Sequence, residues 1–425
     1  MTSDLDLPNG FARRAGSLLC EKVLAAELAE QYGTPLYIYS QTAITEAFET
    51  WKNAFGDAPH LICYAVKANS NIAILRLLAS MGSGFDIVSG GELERVLAAG
   101  GEASKVVFSG VGKSQAEITR ALEVGIRCFN VESSTELYLI ERIAKERNEV
   151  ARISIRINPD VDARTHPYIS TGLKENKFGV NAERALVLYA HAHTADHLDP
   201  VGVDCHIGSQ LTEIEPFIES VQHLRDLVLE LRNSDINIEH IDIGGGLGIC
   251  YADESIPSPS DLISAVRAEL DSLGAELMIE PGRSIVGNAG ALLTKVLVEK
   301  SGDTKTFAIV DAAMNDLLRP ALYSAWQNIV EVSLDGKAKQ NTYDIVGPVC
   351  ETGDFLGKER ILSAEEGDLL AVMGAGAYSF SMSSNYNSRP RAAEILVHES
   401  EGHVIRQREV LTSLWRDETI PEVLR

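Results

Sequence analysis

The 425-residue chain is 45% hydrophobic and 23% charged, a composition that allows a large buried core and does not indicate disorder. Its formal net charge of −23 argues against a nucleic-acid or anionic-membrane partner, because both favour a basic surface. We find no signal peptide, no apolar run long enough to span a membrane and no CxxC pair. These observations predict a cytoplasmic protein with reduced cysteines.

Short apolar, strand-like runs alternate with amphipathic stretches from about residue 60 onwards. The predicted strands are His60–Val66, Phe85–Val88, Val106–Ser109, Arg127–Val131, Arg152–Ile157, Val201–His206, His240–Ile243 and Glu276–Glu280. Helical spacing is clearest in Ile72–Ser80, Gly91–Ala99 and Pro216–Arg232. Eight strand–helix repeats predict a (β/α)8 barrel of the TIM type, with an open doubly wound sheet as the alternative.

The polar residues favour the barrel. Lys67, Ser89, Asn158, His206, Gly244 and Glu280 all lie at or just past the carboxyl end of a predicted strand. In a barrel these ends converge on one mouth, where active sites are built.

Short apolar runs separated by turn residues replace the βα pattern after Gly287. We expect a barrel of residues 40–285 and a mostly β domain, a β-barrel or sandwich, of residues 1–39 and 286–425. Leu36–Tyr39 is expected to pair with this second domain, and Asp253–Ser260 is expected to be a loop.

Lys67, in the run Tyr64–Asn69, ends a buried strand. A lysine there is partly desolvated, which lowers its pKa and makes it a candidate Schiff-base nucleophile. The alternative is a lysine that extends to solvent.

The run Ile241–Gly248 contains consecutive glycines, among them Gly245 and Gly246, whose backbone N–H groups can hold a phosphate. It does not match GxGxxG, because residue 249 is Ile249, so a small phosphate group is favoured over a dinucleotide. A tight turn is the alternative.

Two further segments carry polar groups at strand ends. In Glu280–Arg283 the carboxylate can hold a protonated ring nitrogen, and Arg283 can bind an oxyanion. In His206–Gln210 the imidazole can stack on a flat ring, and Ser209 can bind a phosphate. The alternative for Glu280–Arg283 is a surface turn with a salt bridge, and the alternative for His206 is a hydrogen-bonded core histidine.

Cys350 and Glu351 lie side by side in the second domain and can supply a proton donor and an amine ligand. A buried structural cysteine is the alternative. The histidines at 191, 193 and 197 match no metal-site spacing, and we expect no metal.

Taken in order, the runs YAVKAN, FDIVSGGEL, HIGSQ, IDIGGGLGI, EPGR, MNDLLRPALY, GPVCETGD and GAYSFSMSSNYNSRP extend from Tyr64 to Pro390. This series resembles the alanine-racemase-like fold group of pyridoxal-phosphate enzymes and, within it, the diaminopimelate decarboxylase family. The resemblance implies decarboxylation of meso-2,6-diaminopimelate to L-lysine, the last step of lysine biosynthesis, with pyridoxal 5′-phosphate as a Schiff base on Lys67.

The resemblance also implies a role for each matching residue. Cys350 would return the proton, and the cofactor would be bound by Lys67, Asp86, His206, Ser209, Gly245, Gly246, Glu280, Gly282, Arg283 and Tyr378. Substrate would be bound by Arg283, Arg319, Tyr323, Glu351 and Tyr378. Cys350 and Glu351 would be presented across the interface of a homodimer.

Arg319 suits the far carboxylate of diaminopimelate, which ornithine and arginine lack. It therefore argues against a broad-specificity ornithine, arginine or lysine decarboxylase. The Cys350–Glu351 pair argues against an alanine racemase, which needs a tyrosine base. A non-catalytic pyridoxal-phosphate-binding protein is the third alternative.

Overall fold

The computed structural model describes residues 7–173, 176–334 and 340–425. The chain divides into two compact units, one of Thr45–Ile285 and one that joins Val286–Arg425 to the described part of Met1–Ile44. None of the helices in these described ranges is long and apolar enough to cross a membrane.

The first described segment contributes strands to the second of these units. Its elements are β1 Phe11–Arg14, β2 Ser17–Cys20, β3 Val23–Leu24, α1 Ala25–Tyr32 and β4 Leu36–Ser40. β1, β2 and β3 form a small antiparallel sheet, and every residue of β4 is buried.

Eight strands form a closed parallel barrel in the unit Thr45–Ile285. They are β5 His60–Ala65, β6 Gly84–Ile87, β7 Val106–Phe108, β8 Cys128–Val131, β9 Ala151–Ile157, β10 Leu198–Cys205, β11 His240–Asp242 and β12 Glu276–Ile279. Each pairs with the next in the chain, and β12 closes the ring on β5 with Leu277 opposite His60. The closed ring confirms the predicted TIM-type barrel and excludes the open sheet.

Helices follow the strands in chain order. They are α2 Gln41–Phe55, α3 Ile72–Ser80, α4 Gly90–Ala98, α5 Gln115–Val124, α6 Ser134–Arg147, α7 Ala182–Thr194, α8 Glu215–Asn233, α9 Pro259–Leu270 and α10 Arg283–Val286. Polar side chains cap the starts of α3, α4, α5, α6, α7 and α9; Ser89, for example, accepts a hydrogen bond from Glu92 N. The loop predicted for Asp253–Ser260 ends too late, because Ser258 and Asp261 form a capping box that starts α9 at Pro259.

The remaining elements complete the mostly β unit. They are β13 Gly290–Ser301, β14 Thr306–Val310, α11 Arg319–Tyr323, β15 Ile329–Glu331, β16 Asn341–Val346, β17 Phe355–Leu362, β18 Leu369–Val372, β19 Ala393–His398 and β20 Glu401–Arg406. The sheet order is β17-β16-β14-β13-β4-β19-β20, with β18 on β13 and β15 on β18. β4 lies between β13 and β19, so the expected pairing of Leu36–Tyr39 with this domain is confirmed.

Candidate active site

Lys67 lies in the 3-10 turn Val66–Ala68 that directly follows β5. Ala65 pairs with Asp86 of β6 in the barrel ladder, so the lysine side chain, two residues on, reaches that carboxylate. Lys67 Nζ donates a hydrogen bond to Asp86 Oδ2, and Asp86 is fully buried. The ion pair fixes the amine at the carboxyl end of the strands.

Three more carboxylates lie at the ends of neighbouring strands and form an acidic floor, defined here as Asp204 of β10, Asp242 of β11 and Glu280 after β12. Their oxygen atoms lie within 4.8 Å of one another, and all three residues are buried. Burial raises the pKa of Asp242 to about 7, and burial together with Asp86 and Asp242 raises that of Glu280 well above its usual value. The floor is therefore suited to a cation.

Sequence reasoning missed two of these residues. Asp204 and Asp242 each stand as the one acid inside an apolar strand run, VGVDC and HIDI, and that pattern was the available signal. Asp242 Oδ2 and Asp204 Oδ1 are buried atoms for which the described residues offer no hydrogen-bond donor. Groups of this kind indicate a polar partner that the protein alone does not provide.

His206 directly follows β10, and its ring is held by the glycine run. The backbone N–H of Gly245 donates a hydrogen bond of 3.1 Å to Nδ1 of His206. A nitrogen that accepts cannot carry the proton, so the imidazole is neutral with its proton on Nε2. Burial, assisted by Arg156 and Lys67, lowers the pKa of His206 well below its usual value.

The backbone around His206 is fixed by residues that the sequence pattern did not single out. His206 O accepts hydrogen bonds from Arg156 Nη2 at 3.2 Å and from Thr171 Oγ1 at 2.7 Å. Arg156 is itself paired with the buried Glu132 at 2.8 Å. Thr171 lies in the polar segment 162–179, of which residues 174–175 lie outside the described residues. An ion-paired arginine and a loop thus hold the backbone of His206 in place.

The glycines create a narrow cradle beside these groups. Gly244 and Gly246 have φ of +68° and +118°, values that L side chains rarely adopt. A Cβ on Gly245 would lie 2.1 Å from Glu280 O, and one on Gly282 would lie 2.9 Å from Ala68 Cβ. The loops therefore approach one another only because these positions have no side chain.

The structure also brings Ser209 and Arg283 into this cradle. Arg283 Nη2 donates a hydrogen bond to Ser209 Oγ at 2.9 Å, and Nη1 donates one to Tyr251 OH at 2.7 Å. A guanidinium, a hydroxyl and backbone N–H groups are the ligands that a phosphate needs. Tyr251 was not identified from the sequence.

The other predicted residues lie in the mostly β unit. Arg319, buried, begins α11, and Tyr323, half-buried, ends it. Cys350 and Glu351 are exposed on the turn between β16 and β17, and Tyr378, half-buried, has φ of +54°. The alternative of a buried structural cysteine at 350 is therefore wrong.

The family described as "Pyridoxal-dependent decarboxylase, pyridoxal binding domain" matches residues 41–287. Over 406 residues the chain is 56% identical to a diaminopimelate decarboxylase of Vibrio cholerae, covering 95% of this chain and 97% of that one. The chain belongs to the diaminopimelate decarboxylase family. As a member of this pyridoxal-dependent family, it is a decarboxylase that uses pyridoxal phosphate.

Two solved structures of diaminopimelate decarboxylases have the same fold. The Helicobacter pylori enzyme, complexed with L-lysine, aligns with a TM-score of 0.90 at 47% identity and covers 92% of this chain and 98% of its own. The M. jannaschii enzyme, also complexed with L-lysine, aligns with a TM-score of 0.94 at 40% identity and covers 98% of this chain and 99% of its own.

The barrel site of this diaminopimelate decarboxylase family member fits the cofactor. Lys67 offers an amine for the aldehyde, and the acidic floor, with its buried carboxylate atoms without donors, suits a protonated ring nitrogen. The glycine cradle with Ser209 and Arg283 suits the phosphate. Each part of the cofactor has a chemically matched group in the described residues.

Proposed function

We propose that the protein removes carbon dioxide from meso-2,6-diaminopimelate and releases L-lysine, with pyridoxal phosphate attached to Lys67. One observation carries the chemistry: a single barrel mouth contains Lys67 against Asp86, a buried acidic floor and a phosphate cradle. The substrate is supported by the name of the Vibrio cholerae relative and by the L-lysine in the Helicobacter pylori structure.

The barrel residues bind and orient the cofactor in this proposal. Asp86 holds the Lys67 amine in place, and Glu280 keeps the ring nitrogen protonated. The floor carboxylates repel one another, which raises the pKa of Glu280. A cation among them relieves this repulsion. The site therefore favours the protonated, positively charged form of the ring nitrogen. His206, neutral, would stack on the ring without adding charge.

Ser209, Gly245, Gly246, Gly282 and Arg283 hold the phosphate in this proposal, assisted by Tyr378. When bound, the cofactor supplies an electron sink for the pair of electrons that the departing carboxylate leaves behind.

The residues of the mostly β unit select the substrate and complete the reaction. Arg319, with Tyr323 and Arg283, binds the far carboxylate through charge-assisted hydrogen bonds. Glu351 binds the far ammonium, and Tyr378 also contacts the substrate. The Cys350 thiol gives its proton to the former α-carbon, and its exposed position suits a group that must reach a ligand.

We further propose that the protein is a cytoplasmic homodimer in which Cys350 and Glu351 of one copy serve the other copy. All six cysteines are free thiols, which agrees with a reducing compartment. The exposure of Cys350 and Glu351 in the single chain leaves them available to a second copy.

The experiment measures carbon dioxide release by purified, cofactor-loaded protein from meso-diaminopimelate, ornithine, arginine and lysine. Turnover of diaminopimelate alone supports the proposal. Turnover of ornithine or arginine instead would support the broad-specificity alternative and overturn the role of Arg319. No turnover with an intact imine absorbance would favour a non-catalytic binding protein.

A further inference from the structure

Cys350 and Glu351 lie on a turn whose backbone is tightly held. Asp354 Oδ2 accepts a hydrogen bond from Val349 N at 2.7 Å, and Asp354 Oδ1 accepts one from Met314 N at 2.7 Å. The buried Asp354 thus ties the turn to the segment that leads into α11 and Arg319. The Cys350 and Glu351 side chains themselves are exposed, and exposed side chains stay in one rotamer only if something holds them.

Two residues of the segment after Tyr378 contact this pair, one at the Glu351 side chain and one at the Cys350 backbone. Tyr386 OH donates a hydrogen bond to Glu351 Oε1, and Asn387 Oδ1 accepts one from Cys350 N at 3.1 Å. Asn387 has φ of +56°, in the left-handed region that asparagine tolerates better than most residues. Two adjacent residues therefore contact both members of the Cys350–Glu351 pair.

The Tyr386–Asn387 segment is itself anchored to the rest of the β unit. Asn385 Nδ2 donates a hydrogen bond to Glu409 Oε2 at 2.7 Å. Arg389 Nε donates one to Asn315 Oδ1 at 2.9 Å, and Asn315 O accepts one from Ser384 N at 2.9 Å. Asn315 and Met314 are neighbours, so one short segment fixes both the turn with Cys350 and the segment with Tyr386.

We propose that Tyr386 and Asn387 are positioning residues, Tyr386 for the Glu351 carboxylate that binds the far ammonium of the substrate and Asn387 for the backbone that presents the Cys350 thiol. This inference rests on the proposed function, because it assumes that Glu351 and Cys350 have those roles. Tyr386 limits the rotamers of Glu351 before substrate arrives, which reduces the entropy that binding must overcome.

The test is steady-state kinetics of the cofactor-loaded full chain with meso-diaminopimelate. Tyr386→Phe removes only the hydroxyl and is expected to raise KM about tenfold with the turnover number within about twofold, the effect of one hydrogen bond to a charged group. Asn387→Gly keeps the left-handed backbone and removes the acceptor, and it is expected to lower the turnover number about tenfold with KM nearly unchanged.

A competitive ligand without the far ammonium separates the role of Tyr386 from a general loss of structure. D-2-aminopimelate keeps the reacting centre and the far carboxylate. Its inhibition constant should be the same in Tyr386→Phe as in the unaltered protein, within about twofold. A tenfold weaker inhibition constant would mean that the substitution disturbs the whole site, and would overturn the inference.

Matched controls exist elsewhere in the chain. Tyr138 is 46% exposed against 44% for Tyr386, and Asn148 has φ of +55°. Tyr138→Phe and Asn148→Gly should leave both kinetic constants unchanged. If the unaltered protein releases no carbon dioxide from diaminopimelate, the proposed function fails. If the unaltered protein is active, and Tyr386→Phe and Asn387→Gly have the same KM and turnover number as the unaltered protein, only this inference fails.

Discussion

The backbone N–H of Gly245 donates a hydrogen bond to Nδ1 of His206, and this contact between two strand ends decides the state of the imidazole. The ring is neutral with its proton on Nε2, since the accepting nitrogen cannot also be a donor. Only a residue without a side chain fits at 245, because a Cβ there would lie 2.1 Å from Glu280 O. The glycine therefore brings the backbone to the ring and leaves room for the neighbouring strand end.

The first prediction is that His206 does not titrate near neutral pH. Burial, Arg156 and Lys67 lower its pKa well below 6.5, so the ring should stay neutral from about pH 8 down to about pH 6. Nitrogen NMR of the histidine-labelled protein, with His206→Gln for assignment, should show an unprotonated Nδ1 and a protonated Nε2 throughout. A His206 titration centred near pH 6.5 would contradict the assigned tautomer.

The second prediction concerns the amine that attaches the cofactor. Lys67→Ala should abolish both the imine absorbance of bound cofactor and turnover, because the described mouth has no other amine against Asp86. Absorbance spectra and carbon dioxide release check this. Lys105→Ala, which removes a lysine paired with Glu102 outside the mouth, should retain both signals. Activity retained by Lys67→Ala would refute the proposed attachment.

The third prediction is a pH-dependent stability that arises from Asp242. Its pKa rises from 3.8 to about 7 through burial and Asp86, although Gly244 and Lys67 act in the opposite direction. Because a raised carboxyl pKa favours the folded protein only while the group is protonated, this contribution is complete below pH 3.8 and is lost as pH rises to about 7.

Asp242→Asn is neutral at every pH and can still accept the hydrogen bond from Gly244 N. In the cofactor-free protein, the free energy of unfolding of Asp242→Asn should rise relative to that of the unaltered protein by about 2 kcal/mol between about pH 5.5 and about pH 8. Urea unfolding midpoints measure this difference. Asp199→Asn, on the same sheet and half exposed, is the control for the loss of one carboxylate. A constant difference across this range would show that Asp242 is not the source.

The fourth prediction concerns the choice of substrate. Arg319→Lys keeps the charge but loses the planar pair of donors, and should lower kcat/KM for meso-diaminopimelate about 100-fold through a higher KM. Arg360→Lys changes an arginine that stacks on Trp326 instead and should have little effect. An unchanged KM in Arg319→Lys would assign the far carboxylate to another group.

The sequence by itself determined the barrel. Eight alternations of a buried run with an amphipathic helix permit few other folds, and parallel strands bring their carboxyl ends to one mouth. For that reason the strand pattern alone places Lys67, His206 and Glu280 together, each at the end of a predicted strand. Their roles could be stated because the motif order resembles one enzyme family.

Only the tertiary structure decided which groups surround those residues. Asp204 and Asp242 form one floor with Glu280 because β10, β11 and β12 pair side by side, with Asp204 opposite Asp242 and Asp242 opposite Met278. A single acid in an apolar run marks each strand, but the run does not show which acids the pairing brings together. Tyr386 reaches Glu351 across 35 positions of the chain, through loops that carry no periodic pattern. Periodicity indicates which face of a helix or strand is buried. Contacts between distant loops depend instead on how the elements pack together in three dimensions. These partners could therefore be identified only in the folded protein.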